Sequence, residues 1–150
     1  MLTQAILIGL IAAFGKFDCQ LGTLYAFRPI VLCPLVGLVL GDLQSGLAIG
    51  ASLELLFMGS ISIGAYVPPD ECIGGVLACA FAIQLGQSTE AAIALAMPIA
   101  TLCLAIKNVV NAGMPLLVDR ADVFASKGNL KGIYAMHWII GLVIVVLAFI

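Results

Sequence analysis

Charged residues are scarce in this chain. Only 9% of its 150 residues are charged and 63% are hydrophobic, whereas a soluble domain is about 25% charged and 45–50% apolar. That composition excludes a soluble globular protein with a polar surface and predicts a protein embedded in a lipid bilayer. The sequence also has no basic tract, which excludes nucleic acid as a partner. The net charge of −2 rests on too few groups to indicate anything more.

The common chemical motifs are also missing. The five cysteines form no Cys-x-x-Cys pair, and His137 is the only histidine. We therefore predict no metal, no cofactor and no catalytic residue, and interpret the cysteines as small packing residues. His137 stands beside Trp138, where an aromatic belt at the membrane interface is expected. No basic segment precedes the first charge, Lys16, so we expect the first apolar segment to stay in the mature protein rather than act as a cleaved signal peptide.

The apolar segments are short for membrane spans. Crossing the hydrocarbon core takes about 20 apolar residues in a helix, and most runs here are interrupted sooner by Gly, Pro or a charge. They cover residues 5–15, 29–41, 47–67, 73–85, 91–118 and 134–150. We predict an all-α integral membrane protein, a single membrane domain over residues 1–150, with transmembrane helices and re-entrant or broken half-helices. A plain bundle of four or five kinked spans is the alternative.

One segment, Asp119–Lys131, is polar throughout most of its length. It holds three of the six basic residues and the turn signal Gly128-Asn129. We predict a loop here. The positive-inside rule places this segment in the cytoplasm.

Glu54 is the only charge between Asp42 and Asp70. A carboxylate at membrane depth costs roughly 2.5–3.5 kcal/mol on insertion scales, so such a group usually serves a substrate or ion pathway or pairs with another charge. Carboxylate oxygens accept strong hydrogen bonds from hydroxyl groups, and a sugar presents a ring of hydroxyls. The alternatives are an ion pair for Glu54, with Lys107 as a candidate partner, and a helix N-cap for Asp70 after Pro68-Pro69.

Two further polar side chains are candidates for the same site. Ser52 supplies a hydroxyl beside Glu54, and Gln4 supplies an amide that both donates and accepts hydrogen bonds in the first apolar segment. An interhelical hydrogen bond is the alternative role for Gln4. The predicted site is thus Glu54 as the principal hydroxyl acceptor, with Ser52, Asp70 and Gln4 around it.

An ordered set of motifs resembles a known family. The set comprises Arg28-Pro29, Gly41-Asp42, Gly50-Ala-Ser-Leu-Glu54 and Gly64-Ala-Tyr-Val-Pro-Pro-Asp70, followed by Ala94-Leu-Ala-Met-Pro98 and Asp119-Arg-Ala-Asp122. In order and spacing it resembles the IIC membrane subunit of the mannose/sorbose type of the bacterial phosphotransferase system. Ser52 stands where that family usually has threonine, so the hydroxyl is kept.

The resemblance implies a function and a set of partners. IIC subunits of this type bind and translocate a hexose or amino sugar across the bacterial inner (cytoplasmic) membrane as multi-pass proteins. They assemble with a IID membrane subunit, and soluble IIA and IIB partners carry the phosphate, so IIC itself is not an enzyme. A homo-oligomer within the complex is expected.

Family members are longer, so the resemblance also implies that this chain is the N-terminal, truncated part of the IIC domain. Two other hypotheses stay open at this point. The chain could be a remnant that only assembles with IID and transports nothing, or an ion-coupled secondary carrier in which Glu54 binds a proton or sodium.

Overall fold

Seven α-helices follow one another along the chain in the computed structural model, which describes residues 2–22, 24–64 and 66–149, without the side chain of residue 19. No strand occurs in these ranges. The helices are α1 (Leu2–Leu21), α2 (Pro29–Leu40), α3 (Leu43–Phe57), α4 (Glu71–Gln84), α5 (Thr89–Gly113), α6 (Pro115–Ser126) and α7 (Leu130–Phe149).

Helices α2 and α3 form a tight antiparallel hairpin. The turn begins at Gly41, whose φ of 87° lies in the left-handed region that glycine adopts readily. Asp42 then caps α3, because its side chain accepts a hydrogen bond from the backbone N–H of Ser45. A Cβ on Gly46 would lie 2.8 Å from the carbonyl oxygen of Cys33. Only glycine therefore lets the two backbones approach this closely, as in other membrane helix pairs.

Helix α2 lies at the centre of the packed core. It contacts α1, α3 and α4, and the side chains of Leu32, Cys33 and Val36 are fully buried. Helices α4 and α5 form a second hairpin, in which Gly74 packs directly on Ala100. These contacts place the start of α2, the middle of α3 and the start of α4 close together.

The last two helices extend the fold sideways. Helix α6 begins at Pro115, directly after α5 ends, and buries none of its residues. Helix α7 returns antiparallel to α1. Gly141 in the middle of α7 packs on Gln20 near the end of α1, and Gly9 in the middle of α1 packs on Phe149 at the end of α7.

The structure confirms the all-helical prediction and the short helices. Helices α5 and α7 are long and apolar enough to cross a membrane, whereas α2, α3 and α4 are shorter apolar helices of 12, 15 and 14 residues. The apolar run 47–67 is broken as expected, because α3 ends at Phe57 and residues 58–64 and 66–67 are not helical.

The loop predicted over Asp119–Lys131 is wrong for most of its length. Helix α6 continues to Ser126, and α7 already begins at Leu130. The polar residues of this segment project from a helix that has no buried face. These residues are polar because they are exposed, not because the segment lacks regular structure.

Replacing Gly46 by alanine tests the α2–α3 contact. We expect Gly46→Ala to lower the free energy of unfolding by about 1–3 kcal/mol, because the new methyl group would overpack backbone atoms that cannot move aside. Thermal unfolding of the purified protein in detergent, followed by circular dichroism, measures the change.

Gly113→Ala is the matched control. A Cβ at Gly113 would meet nothing within 4 Å, so this variant should be unchanged or more stable by up to about 1 kcal/mol. Equal unfolding temperatures for both variants would contradict the close contact at Gly46.

Candidate functional site

The guanidinium of Arg28 lies between two carboxylates. Its Nε and Nη2 atoms are each 2.6 Å from Oε1 of Glu54, and its Nη1 atom is 3.0 Å from Oε2 of Glu71. The three side chains are only 16–20% exposed. Arg28 therefore joins α3 and α4 at the start of α2, in a site largely screened from solvent.

Local backbone geometry explains where Arg28 and Glu54 meet. Arg28 is the N-cap residue of α2 in an extended conformation, and Pro29 occupies the first turn, where its missing N–H costs nothing. The backbone N–H of Ile30 points at Oε2 of Glu54 at 3.4 Å. The carboxylate thus faces the positive end of the α2 dipole as well as the guanidinium.

A second ion pair adjoins the first. Nζ of Lys16 lies 2.5 Å from Oδ2 of Asp70, whose side chain is 2% exposed. The other oxygen of Asp70 accepts a hydrogen bond from the backbone N–H of Ile73 at 3.2 Å, so Asp70 caps α4. Asp70 and Glu71 are consecutive, so the Lys16–Asp70 pair and the two pairs made by Arg28 form one group of three carboxylates and two cations. We call these five residues the ion network.

The ion network contains two of the four predicted site residues. Glu54 and Asp70 both belong to it, and both alternatives weighed for them are present: Glu54 is ion-paired and Asp70 is an N-cap. Lys107 as the partner of Glu54 is wrong, since Arg28 takes that position. Arg28 is closer because it begins the helix that packs directly against α3.

The other two predicted residues lie elsewhere. The hydroxyl of Ser52 donates to the carbonyl oxygen of Ala48 at 2.9 Å. Two residues along a helix are about 200° apart around its axis, so Ser52 and Glu54 face different ways. Gln4 lies in the first turn of α1, roughly 18 Å along that helix from Lys16. Neither side chain joins the ion network.

Sequence reasoning did not single out Arg28, Glu71 or Lys16 as site residues. A signal for them existed: in a chain with so few charges, each charge near an apolar run needs a partner. Asp18 belongs to the same group. It is 3% exposed, one oxygen accepts the backbone N–H of Leu24 at 2.8 Å, and the other has no hydrogen-bond partner among the described residues.

Asp18 shapes the connection that carries Arg28. The connection from α1 to α2 contains Gly22 and Tyr25 with φ values of 103° and 63°, and a positive φ at tyrosine is strained. The hydrogen bond from Leu24 to Asp18 folds this turn back onto α1. The turn thereby places Arg28 beside the carboxylates of Glu54 and Glu71.

The buried cysteines behave as packing residues. The thiols of Cys33, Cys72 and Cys79 donate long hydrogen bonds to the backbone carbonyl oxygens of Gly75, Ala12 and Cys33. No group of three or more His, Cys, Asp or Glu side chains suited to a metal ion occurs in the described part of the chain.

Comparison with known proteins shows which family the chain belongs to. The family described as the sorbose-specific IIC component of the phosphotransferase system (PTS) matches residues 2–150. The chain belongs to this family. The membership confirms the resemblance read from the IIC motifs, and it places the ion network within a family of membrane transport components.

Two curated IIC relatives show how much of such a protein is present. The fructose permease IIC component of Bacillus subtilis (strain 168) is 37% identical over 134 residues, which make up 89% of this chain and 50% of that protein. The PTS system mannose-specific EIIC component of Escherichia coli (strain K12) is 34% identical over 134 residues, with the same coverage. The chain spans about half the length of these curated relatives.

A solved structure shares the IIC fold. In the cryo-EM structure of the mannose transporter ManYZ in complex with microcin E492, one chain superimposes with a TM-score of 0.84 at 31% identity. The match covers 99% of this chain and 58% of that one. The membrane fold inferred from the sequence is thereby confirmed.

Removing Arg28 tests the ion network. We expect Arg28→Gln to lower the free energy of unfolding by about 3 kcal/mol, because two partly buried carboxylates would lose their shared cation. The triple variant Arg28→Gln, Glu54→Gln, Glu71→Gln should recover most of that loss, since no unpaired charge remains. Unfolding in detergent measures both.

Arg120→Gln serves as the control for this experiment. Arg120 is exposed on α6, so its loss should change the free energy of unfolding by no more than about 0.5 kcal/mol. A loss in the triple variant as large as that in Arg28→Gln would show that the carboxylates are not held by Arg28.

Proposed function

We propose that this chain is a sugar-translocating membrane part of a IIC subunit in a phosphoenolpyruvate-dependent phosphotransferase system. Its substrate is a hexose or amino sugar, in the mannose, sorbose and N-acetylgalactosamine class. The observation that carries the proposal is the placement of Glu54 among short, broken helices, paired on one oxygen and lightly engaged on the other. Membership of the IIC family supports the same function.

Glu54 retains capacity to bind a hydroxyl group. A carboxylate has about four lone-pair sites. Arg28 occupies Oε1 at 2.6 Å, while among the described residues Oε2 accepts only the long contact from the Ile30 N–H at 3.4 Å. A sugar hydroxyl can therefore donate to Oε2 with the ion pair intact. Such a hydrogen bond to a charged acceptor is roughly twice as strong as a neutral one.

The remaining candidates rank below Glu54. Asp70 is nearly fully buried and already accepts hydrogen bonds from Lys16 and Ile73, so it has less free capacity. Ser52 and Gln4 reach the sugar only if the substrate path extends beyond the ion network. We therefore assign substrate binding to Glu54 first, to Asp70 second, and to Ser52 and Gln4 as outer contacts.

The proposed setting is a multi-pass subunit of the bacterial inner membrane. It works with a IID membrane subunit and with IIA and IIB phosphocarriers, as a homo-oligomer within the complex. The physical logic is trapping: a phosphorylated sugar carries about −1.5 to −2 charges, and a charged molecule cannot return across an apolar path.

The alternatives receive less support. An ion-coupled carrier needs a carboxylate free to bind a proton or sodium, whereas Arg28 neutralises Glu54 directly. The relatives are also components of phosphotransferase systems rather than ion-coupled carriers. A remnant that assembles with IID without transporting sugar is distinguished by the experiment below.

Replacing Glu54 by glutamine tests the substrate role. The wild-type chain is expressed with IIA, IIB and IID partners in cells that lack their own sugar transporters of this class. We expect Glu54→Gln to lower phosphoenolpyruvate-dependent uptake of labelled sugar at least tenfold, because a charged hydrogen bond becomes neutral and the pairing with Arg28 is lost. Uptake is measured for a panel of hexoses and amino sugars.

Glu90→Gln removes the same charge at an exposed position and should leave uptake unchanged. Membrane levels of each variant are measured by immunoblotting, so that uptake is compared per inserted molecule. Wild-type uptake by Glu54→Gln would overturn the assignment. Absence of both uptake and sugar binding in the wild-type chain, with IID still co-purifying, would favour the remnant.

A further inference from the structure

A large cavity lies between α1, α4, α5 and α7, apart from the Arg28 side of the ion network. Its volume is about 510 Å³, within the roughly 300–1,000 Å³ typical of small-molecule sites. Most of the wall is small or aliphatic, including Ile8, Ala12, Val76, Ala80 and Leu147. These side chains make no hydrogen bonds, so this part of the wall suits an acyl chain better than a sugar ring.

The cavity has one charged end. Lys16, Asp70 and Lys107 line it there, because α1 and α5 both run past the start of α4 in the same direction. Lys16 is paired with Asp70. Lys107 makes no hydrogen bond or ion pair with any side chain that the structure describes. The cavity wall therefore carries one excess positive charge.

Several side chains that line the cavity are exposed. Phe81, Ile106 and Phe149 are apolar and remain 46%, 49% and 41% exposed, and the amide side chain of Gln84 is exposed as well. Exposed apolar side chains of this kind can contact lipid acyl chains, since hydrocarbon is as apolar as they are.

We propose that this cavity binds an anionic glycerophospholipid. One acyl chain lies against the aliphatic wall, and the phosphate contacts the ammonium of Lys107. Lys107 is six residues before the end of α5, about 9 Å along the helix axis. A lysine at that depth extends its flexible stem toward the headgroup region, which is where the phosphate lies.

Charge favours a lipid over a second copy of this chain. A second copy of this chain would have to bring a carboxylate to Lys107 on an apolar face, and α5 and α7 carry no acidic residue outside Glu90. An anionic lipid supplies both the negative charge and the apolar surface in one molecule. It is also present at high concentration around every membrane helix.

The test uses the purified chain in a mild neutral detergent. Dioleoyl-phosphatidylglycerol and dioleoyl-phosphatidylcholine are titrated separately, and bound lipid is counted by native mass spectrometry. We expect phosphatidylglycerol to bind more tightly. Lys107→Gln should weaken phosphatidylglycerol binding about fivefold, the effect expected for one lysine near an anionic headgroup, and leave phosphatidylcholine binding unchanged.

Lys131→Gln is the matched control, since Lys131 is exposed at the start of α7 and does not line the cavity. A second variant, Ala80→Leu, places a larger side chain in the cavity and should weaken binding of both lipids. Circular dichroism confirms that each variant is folded.

Several results would overturn the proposal. These are equal binding of the two lipids, an unchanged affinity in Lys107→Gln, an equal loss in Lys131→Gln, and binding of soluble glycerol phosphate as tight as that of the lipid. Dimers in the mass spectra that resist added phosphatidylglycerol and dissociate in Ala80→Leu would instead assign the cavity to a second copy of the chain.

Discussion

One guanidinium ties three helices of this protein together. Arg28 begins α2 and contacts carboxylates of α3 and α4 at hydrogen-bond distance. Few other side chains could serve both, because the planar guanidinium presents several N–H donors in fixed directions, whereas an ammonium is a single point charge. In apolar surroundings each of these charges would be costly alone. The charged side chains of the three helices therefore hold α2, α3 and α4 in their relative positions.

The shortness of the helices makes this arrangement necessary. A helix of 12 residues such as α2 spans only about 18 Å, well under the ~30 Å hydrocarbon core. Its ends would lie at membrane depth if nothing surrounded them. Unpaired backbone groups there are tolerated only inside protein or beside water. Glu54 and Asp42 supply acceptors at two of these helix starts, and the glycine contact at Gly46 keeps the hairpin narrow enough to bury its own backbone.

Much of the fold could be predicted from the chain alone, and the reason is physical. Apolar runs broken by Gly and Pro mark helices whether they span or only enter a membrane. Helices α2 and α4 follow those runs closely, whereas α3 ends ten residues before its run does. The loop prediction for residues 119–131 is wrong because it treats the polar residues of this segment as a sign of irregular structure. Helix α6 buries none of its residues fully, and its apolar residues Leu116, Val118 and Val123 are exposed like its polar ones, so the one-sided apolar pattern that distinguishes helix from loop is weak.

The site was only half predictable. Glu54 and Asp70 stand out because each interrupts or ends an apolar run. Arg28 is separated from its two partners by 26 and 43 residues, and which cation reaches which carboxylate depends on how the helices pack. Lys107 was an equally reasonable partner on paper. Ser52 is close to Glu54 in sequence, yet residues two apart on a helix face different sides of it.

An ion pair and a substrate contact are often treated as competing roles for a buried carboxylate, but at Glu54 they use different atoms. Both short contacts from Arg28 to Glu54 are made at Oε1, and among the described residues Oε2 contacts only the start of α2. The pairing lowers the cost of keeping a negative charge in an apolar region. It also holds the carboxylate in one orientation, so a hydroxyl that arrives at Oε2 has less side-chain entropy to overcome. The structural role thus prepares the acceptor that the proposed sugar site requires.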